Sequence, residues 1–102
     1  MNRIYNLLGL ACRAGKIAWG YQAVVAALKG HKAELVILAR DSSPRLQAKL
    51  LRSCREYGSQ GLIYGQKNEL GAAMGKPPCA VVAITDRNFA ALIQNGVREV
   101  DV

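Results

Sequence analysis

One stretch of the chain combines residue types in a spacing that suits an anionic ligand: Gly15-Lys16-Ile17-Ala18-Trp19-Gly20-Tyr21-Gln22. A glycine-bounded basic turn leads there into a helix starting near Gly20. A helix start presents unpaired N–H groups and a partial positive charge, and both suit a phosphate. Arg13 and Lys16 add full charges beside it. Tyr21 is placed to stack on a base and Gln22 to hydrogen-bond a base edge. Unstacked bases in RNA bulges and loops are read this way. The competing reading is a plain turn with Trp19 tucked into the core, and on spacing the two stand level.

Catalytic constellations do not assemble. Asp41 and Asp86 each follow an apolar run, where α/β sites gather, but each also precedes a helical pattern that capping explains. The segment Gly71-Ala72-Ala73-Met74-Gly75-Lys76 resembles a phosphate loop but lacks one spacer residue. Pro77 stands where a Ser or Thr would hold magnesium, and no helix is expected to open there. His31 lies in a Gly-His-Lys turn and reads as a surface residue. The three cysteines, Cys12, Cys54 and Cys79, form no CxxC pair. A disulfide framework and a zinc site are therefore not expected, and neither is any organic cofactor.

Those residues need elements to position them. A chain of 102 residues suits one domain, and 51% hydrophobic content suits a packed core, aliphatic because only 6% is aromatic. Ile4, Leu7, Leu8 and Ala11 recur on one helical face. Asn6 and Arg13 bound that stretch too tightly for a signal peptide, so a cytoplasmic protein with no membrane partner is expected. Residues 21–29 read as a helix stopping at Gly30. Residues 44–57 read as another, with Ser43 as N-cap, Pro44 at the first position and Gly58 at C′. Within it Leu46, Leu50 and Cys54 face inward, while Arg45, Lys49 and Arg52 form a basic stripe read as a solvated face. Leu35-Val36-Ile37-Leu38-Ala39, Leu62-Ile63-Tyr64 and Ala80-Val81-Val82-Ala83-Ile84 read as strands. A last helix near 87–95 is capped by Asp86 or Thr85, and Val100 and Val102 are placed in a weak edge strand. Helices alternating with buried strands argue an α/β sandwich.

The formal charge is +7. Residues 1–60 hold ten basic and three acidic side chains, and residues 61–102 hold four of each. A pI near 9.7 favours a polyanionic partner, and the excess places its surface in the first sixty residues.

A set of spaced motifs then carries a resemblance. Gly15-Lys16 precedes Gly20-Tyr21. Lys32-Ala33-Glu34-Leu35-Val36-Ile37-Leu38-Ala39 follows, with Asp41 and Pro44 after it. Leu70-Gly71-x-Ala73-x-Gly75-Lys76 and Ala83-Ile84-x-Asp86 complete the order. The chain resembles the kink-turn-binding ribosomal protein family of archaeal L-seven-Ae and eukaryotic L-thirty-e. Its opening Leu7-Leu8-Gly9-Leu10-Ala11-x-Arg13-Ala14-Gly15-Lys16 is similar to the bacterial YlxQ-type branch.

The resemblance implies a three-layer α/β/α sandwich around a mixed four-stranded sheet. It implies a non-enzymatic, RNA-binding protein, monomeric, whose target is a kink-turn or an element of ribosomal RNA. Arg13, Gly15, Lys16, Gly20, Tyr21 and Gln22 would contact that RNA, with Arg40 and Asp41 beside them. The loop Lys76-Pro77-Pro78-Cys79 would cover a flipped-out base. The archaeal pattern places Asn and Glu, then Lys, where this chain has Gln22, Ala23 and Ala26. The carboxylate for a guanine edge is thus absent, while phosphate contacts need only charge and N–H groups. The alternative on the same fold is a protein-interaction adaptor, with Ala23 and Ala26 as its contact patch.

Overall fold

The computed structural model describes residues 2–101. Nine elements follow one another: α1 (Arg3–Arg13), β1 (Ile17–Trp19), α2 (Tyr21–Lys29), β2 (Leu35–Leu38), α3 (Pro44–Tyr57), β3 (Gln60–Ile63), α4 (Lys67–Ala73), β4 (Val81–Ile84) and α5 (Arg87–Asp101). The strands lie in the order β1-β4-β2-β3. β4 is antiparallel to both neighbours, and β2 and β3 are parallel. So β1, β2 and β3 all point the same way.

Period-two alternation divides the sheet's side chains between two helix layers. Leu35, Ile37, Val82 and Ile84 pack with Ile4, Leu8, Leu70 and Ile93, on the side of α1, α4 and α5. Val36, Leu38, Val81 and Ala83 pack with Val24, Leu28, Leu50 and Cys54, on the side of α2 and α3. This is the expected three-layer sandwich around a mixed sheet. β2 and β4 are buried along their whole length, which is why their sequences are unbroken apolar runs.

Local chemistry sets the helix ends. The Ser43 hydroxyl accepts from Leu46 N–H at 3.1 Å, Pro44 opens α3, and Gly58 closes it. Asp86 accepts from Phe89 N–H at 2.9 Å and starts α5. His31 is more than a surface residue: it takes φ 56 just past α2 and sets its ring edge-on to Tyr57.

Three expectations need correction. α5 does not stop near residue 95 but runs to Asp101. Gly96 lies inside this helix; a Cβ on it would meet Ile4 Cγ1 at 3.1 Å, so it serves the close approach of α1 to α5. Val100 accordingly belongs to a helix and not to an edge strand, and Val102 lies outside the described residues. The turn before Gly20 contains a short strand, β1. No helix opens at Lys76, as expected; Gly71-Ala72-Ala73 is instead the last turn of α4.

The strand directions gather the helix starts. α2, α3 and α4 each follow a strand of the same direction, so all three begin at one end of the sheet. α1 begins there too, since Asn2 donates to the Tyr64 hydroxyl at 2.7 Å and Tyr5 donates to Glu69 at 2.9 Å. α5 follows β4 and begins at the opposite end.

Candidate nucleic-acid interface

Three backbone bonds extend the sheet at the end where four helices begin. Gly20 N–H donates to Val81 O at 3.1 Å, Ala39 N–H to Ala80 O at 2.9 Å, and Arg40 N–H to Gly65 O at 2.7 Å. Gly20, Arg40 and the exit of the α4–β4 loop therefore lie in one row. Gly20 is the N-cap of α2 at φ 91 and ψ 166, a region essentially reserved for glycine. It supplies no side-chain cap, and the first turn of α2 holds no acid. The other helices differ. Asn2 caps α1, Ser43 caps α3, Gln66 and Glu69 form a capping box on α4, and Asp86 caps α5. Among the described residues no side chain caps the first-turn N–H groups of α2.

Two aromatics flank that start. Trp19 is 37% exposed and Tyr21 is 39% exposed, so the reading of Trp19 as a core residue does not hold. Each carries a cation over its ring. Lys76 Nζ lies 5.6 Å from the Trp19 centroid, and Lys49 Nζ lies 5.3 Å from the Tyr21 centroid. Gln22 is exposed on the next position, as are Ala23 and Ala26.

The Lys76 loop is held by α4. Lys76 N–H donates to Gly71 O at 2.9 Å and Gly75 N–H to Ala72 O at 3.1 Å, the paired bonds of a Schellman ending. Gly75 takes φ 68, as that ending requires. Cys79 N–H adds a bond to Lys67 O at 3.2 Å. A Cβ on Gly71 would lie 2.8 Å from Lys76 O and 2.7 Å from the Pro77 carbonyl carbon, so this glycine lets the loop lie flat on the helix. Pro77 and Pro78 are exposed. Cys79 is buried, its thiol donating to Val81 O at 3.1 Å, and burial pushes its pKa up. Its side chain thus points into the core and leaves the loop's outer face to Lys76, Pro77 and Pro78.

Arg40 stands at the same sheet end, its guanidinium 5.8 Å from the Tyr64 ring centroid. It lines a cleft of about 300 Å³ with Tyr5, Tyr64, Gly65, Gln66 and Glu69. Asp41 turns its carboxylate to the start of α4, where it accepts from Lys67 N–H at 2.9 Å. It caps, as expected of a residue after a strand, but it caps the helix after β3 rather than the one that follows it in sequence.

Arg13, Gly15 and Lys16 do not join this group. Lys16 O accepts from Thr85 N–H at 2.9 Å, at the end where β4 finishes. The length of β1 separates these residues from Gly20. Sequence reasoning therefore placed one cluster where the fold has two. From sequence, Lys49 reads as part of a solvated face and Trp19 has no part in the ligand-binding reading. The pairing of Lys49 with Tyr21 joins residues 28 positions apart, so no local motif signals it.

Among the described residues no cluster of His, Cys, Asp and Glu could hold a metal ion. No helix among them is long and apolar enough to cross a membrane.

A mixed four-stranded sheet between two helix layers, with a basic, aromatic-flanked helix start at one end, defines a class of small α/β proteins. The chain belongs to the ribosomal protein L7Ae/L30e/S12e/Gadd45 family, whose model matches residues 2–93. It is 35% identical over 86 residues to the RNA-binding protein YlxQ of Bacillus subtilis, covering 84% of this chain and 86% of that protein. With the RNA-binding protein YlxQ of Enterococcus faecium it shares 33% identity over 85 residues, 83% of this chain and 82% of that one. A Bacillus halodurans protein of unknown function has the same structure at a TM-score of 0.92 and 31% identity, covering 96% of this chain and 99% of that one. The Giardia lamblia 15.5kD RNA binding protein matches at a TM-score of 0.74 and 28% identity, covering 94% of this chain and 79% of that one.

Proposed function

We propose that this chain binds structured RNA, with a kink-turn or a ribosomal RNA element as its target, and catalyses no reaction on it. One observation carries the reading: the uncapped start of α2 stands between Trp19 and Tyr21, each exposed and each covered by a lysine. Family membership and relatives named as RNA-binding proteins support it. In this reading the N–H groups of α2 take a phosphate, and the two rings stack on unpaired bases at about 1–3 kcal/mol per base. Gln22 reads a base edge. Arg40 and Lys76 hold flanking phosphates. Ala23 presents no carboxylate to a guanine, so discrimination rests on Gln22, on stacking and on the shape of the RNA.

The test is a titration followed by the fluorescence of Trp19, the chain's one tryptophan. A kink-turn RNA is compared with a control whose sheared G·A pairs are disrupted. The expected result is tighter binding to the kink-turn and a steep loss of affinity with salt. No binding to either RNA at low salt sinks the proposal. Equal binding to both keeps RNA and removes kink-turn specificity.

A further inference from the structure

The charge of α3 is arranged against the helix that carries it. Four basic side chains and one acid occupy its 14 residues. Arg45, Lys49 and Arg52 recur at i, i+4 and i+7, all exposed on one face. Like charges at these spacings destabilise a helix. Arg45 lies in the first turn, where the helix dipole disfavours a cation, and that turn holds no acid. No acidic side chain pairs with Arg45, Lys49 or Arg52 among the described residues. Beyond the contact of Lys49 with Tyr21, these charges oppose the helix that carries them, whereas a polyanion lying along the stripe would relieve the repulsions.

The stripe is continuous with the α2 entrance. Lys49 is its middle member and is also the cation over Tyr21. α2 and α3 begin at the same sheet end and enclose a groove of about 210 Å³, with Lys29 on the α2 side, Lys49 on the α3 side near the entrance and Glu56 near the far end of α3. From Arg45 to Arg52 the stripe advances roughly 10 Å along the helix axis, away from Gly20.

We propose that Arg45, Lys49 and Arg52 form a second RNA contact, which follows the sugar–phosphate backbone of the stem leaving the α2 entrance. This rests on the RNA reading above and extends its footprint from a point to a track. The contact is to phosphates, so it adds affinity and salt dependence without sequence preference.

The test uses two RNAs that share one core and differ in the length of that stem, and two proteins, wild type and Arg45→Gln/Arg52→Gln. Wild type should bind the long RNA more tightly and with the steeper salt slope. The double variant should keep its affinity for the short RNA and lose the gain on the long one. Two phosphate contacts correspond to a slope lower by about 1.4–1.8, or about tenfold in affinity between 50 and 200 mM salt. Thermal melting checks the fold, and the variant should melt no lower than wild type because a repulsion is removed. Equal affinity of wild type for both RNAs, or a variant with the wild-type slope on the long one, overturns the track and leaves the α2 entrance standing. Wild type binding neither RNA overturns both proposals. An acidic protein captured by the stripe in place of RNA would likewise overturn the track.

Discussion

Asp41 accepts a hydrogen bond from the backbone N–H of Lys67 at 2.9 Å, across 26 residues of sequence. The bond ties the exit of β2 to the entrance of α4, and α4 in turn holds the loop that carries Lys76. Asp41→Ala should lower stability by about 1 kcal/mol, or about 4–8 °C in Tm. Asp41→Asn keeps an acceptor and should lose less. Calorimetric melting of the two variants checks the order.

Gly20→Ala tests the α2 entrance differently. Nothing lies within 4 Å of a Cβ built on Gly20, so the substitution makes no clash. The cost is the backbone conformation itself, about 1–3 kcal/mol. Urea unfolding should show a lower midpoint with an unchanged slope. RNA affinity should fall with it, because relaxing φ re-aims the first N–H groups of α2.

What was legible in the sequence follows from how each element is stabilised. α1, α3, β2 and β4 announce themselves because burial repeats at their own period, in Ile4, Leu8 and Ala11 or in the unbroken run from Leu35 to Ala39. α3 was the clearest, since Ser43, Pro44 and Gly58 mark both of its ends. β1 has three residues at the sheet edge, too few for a period. α4 has seven and contains Gly71, so neither length nor propensity reveals it. The site suffered for the same reason. Gly20, Tyr21 and Gln22 were visible as a helix start, but the hidden strand β1 is what carries Lys16 away from them. Lys49 and Asp41 act through partners distant in sequence, which only the topology supplies.

Gly71→Ala should act at a distance from its own helix. The added Cβ would meet the backbone carbonyls of Lys76 and Pro77, which cannot swing aside as a flexible side chain would. Overpacking of this kind costs about 1–3 kcal/mol. The loop should lift and take the Lys76 ammonium off Trp19. A shift in the emission of Trp19 in the free protein is the expected signature, together with weaker RNA binding. Unchanged emission would show that the loop tolerates the methyl group.

Tyr5 gives the protein an alkaline limit. Burial, together with its hydrogen bond to Glu69, raises its pKa above the ordinary tyrosine range. An unfolded chain begins to ionise that hydroxyl at about pH 10, while the folded state still holds the proton. The contribution to stability is therefore complete below about pH 10 and is lost as the pH rises further. Tyr5→Phe should flatten this alkaline fall. At neutral pH it should cost about 0.5–1.5 kcal/mol for the lost hydrogen bond. Denaturation midpoints measured from neutral to alkaline pH for both proteins decide the point.

Four of the five helices begin at one end of the sheet. Each start carries roughly half a positive charge, so their dipoles add to about two charges at that pole, where Lys49, Lys76 and Arg40 also outnumber the two carboxylates, Asp41 and Glu69. A molecule polarised in this way is turned by the field of an approaching polyanion before any atom touches. The α2 entrance would then arrive facing the RNA instead of finding it by rotational search, and the benefit falls on the association rate. Added salt should first slow encounter, and only the phosphate contacts made afterwards should govern how long the complex lasts.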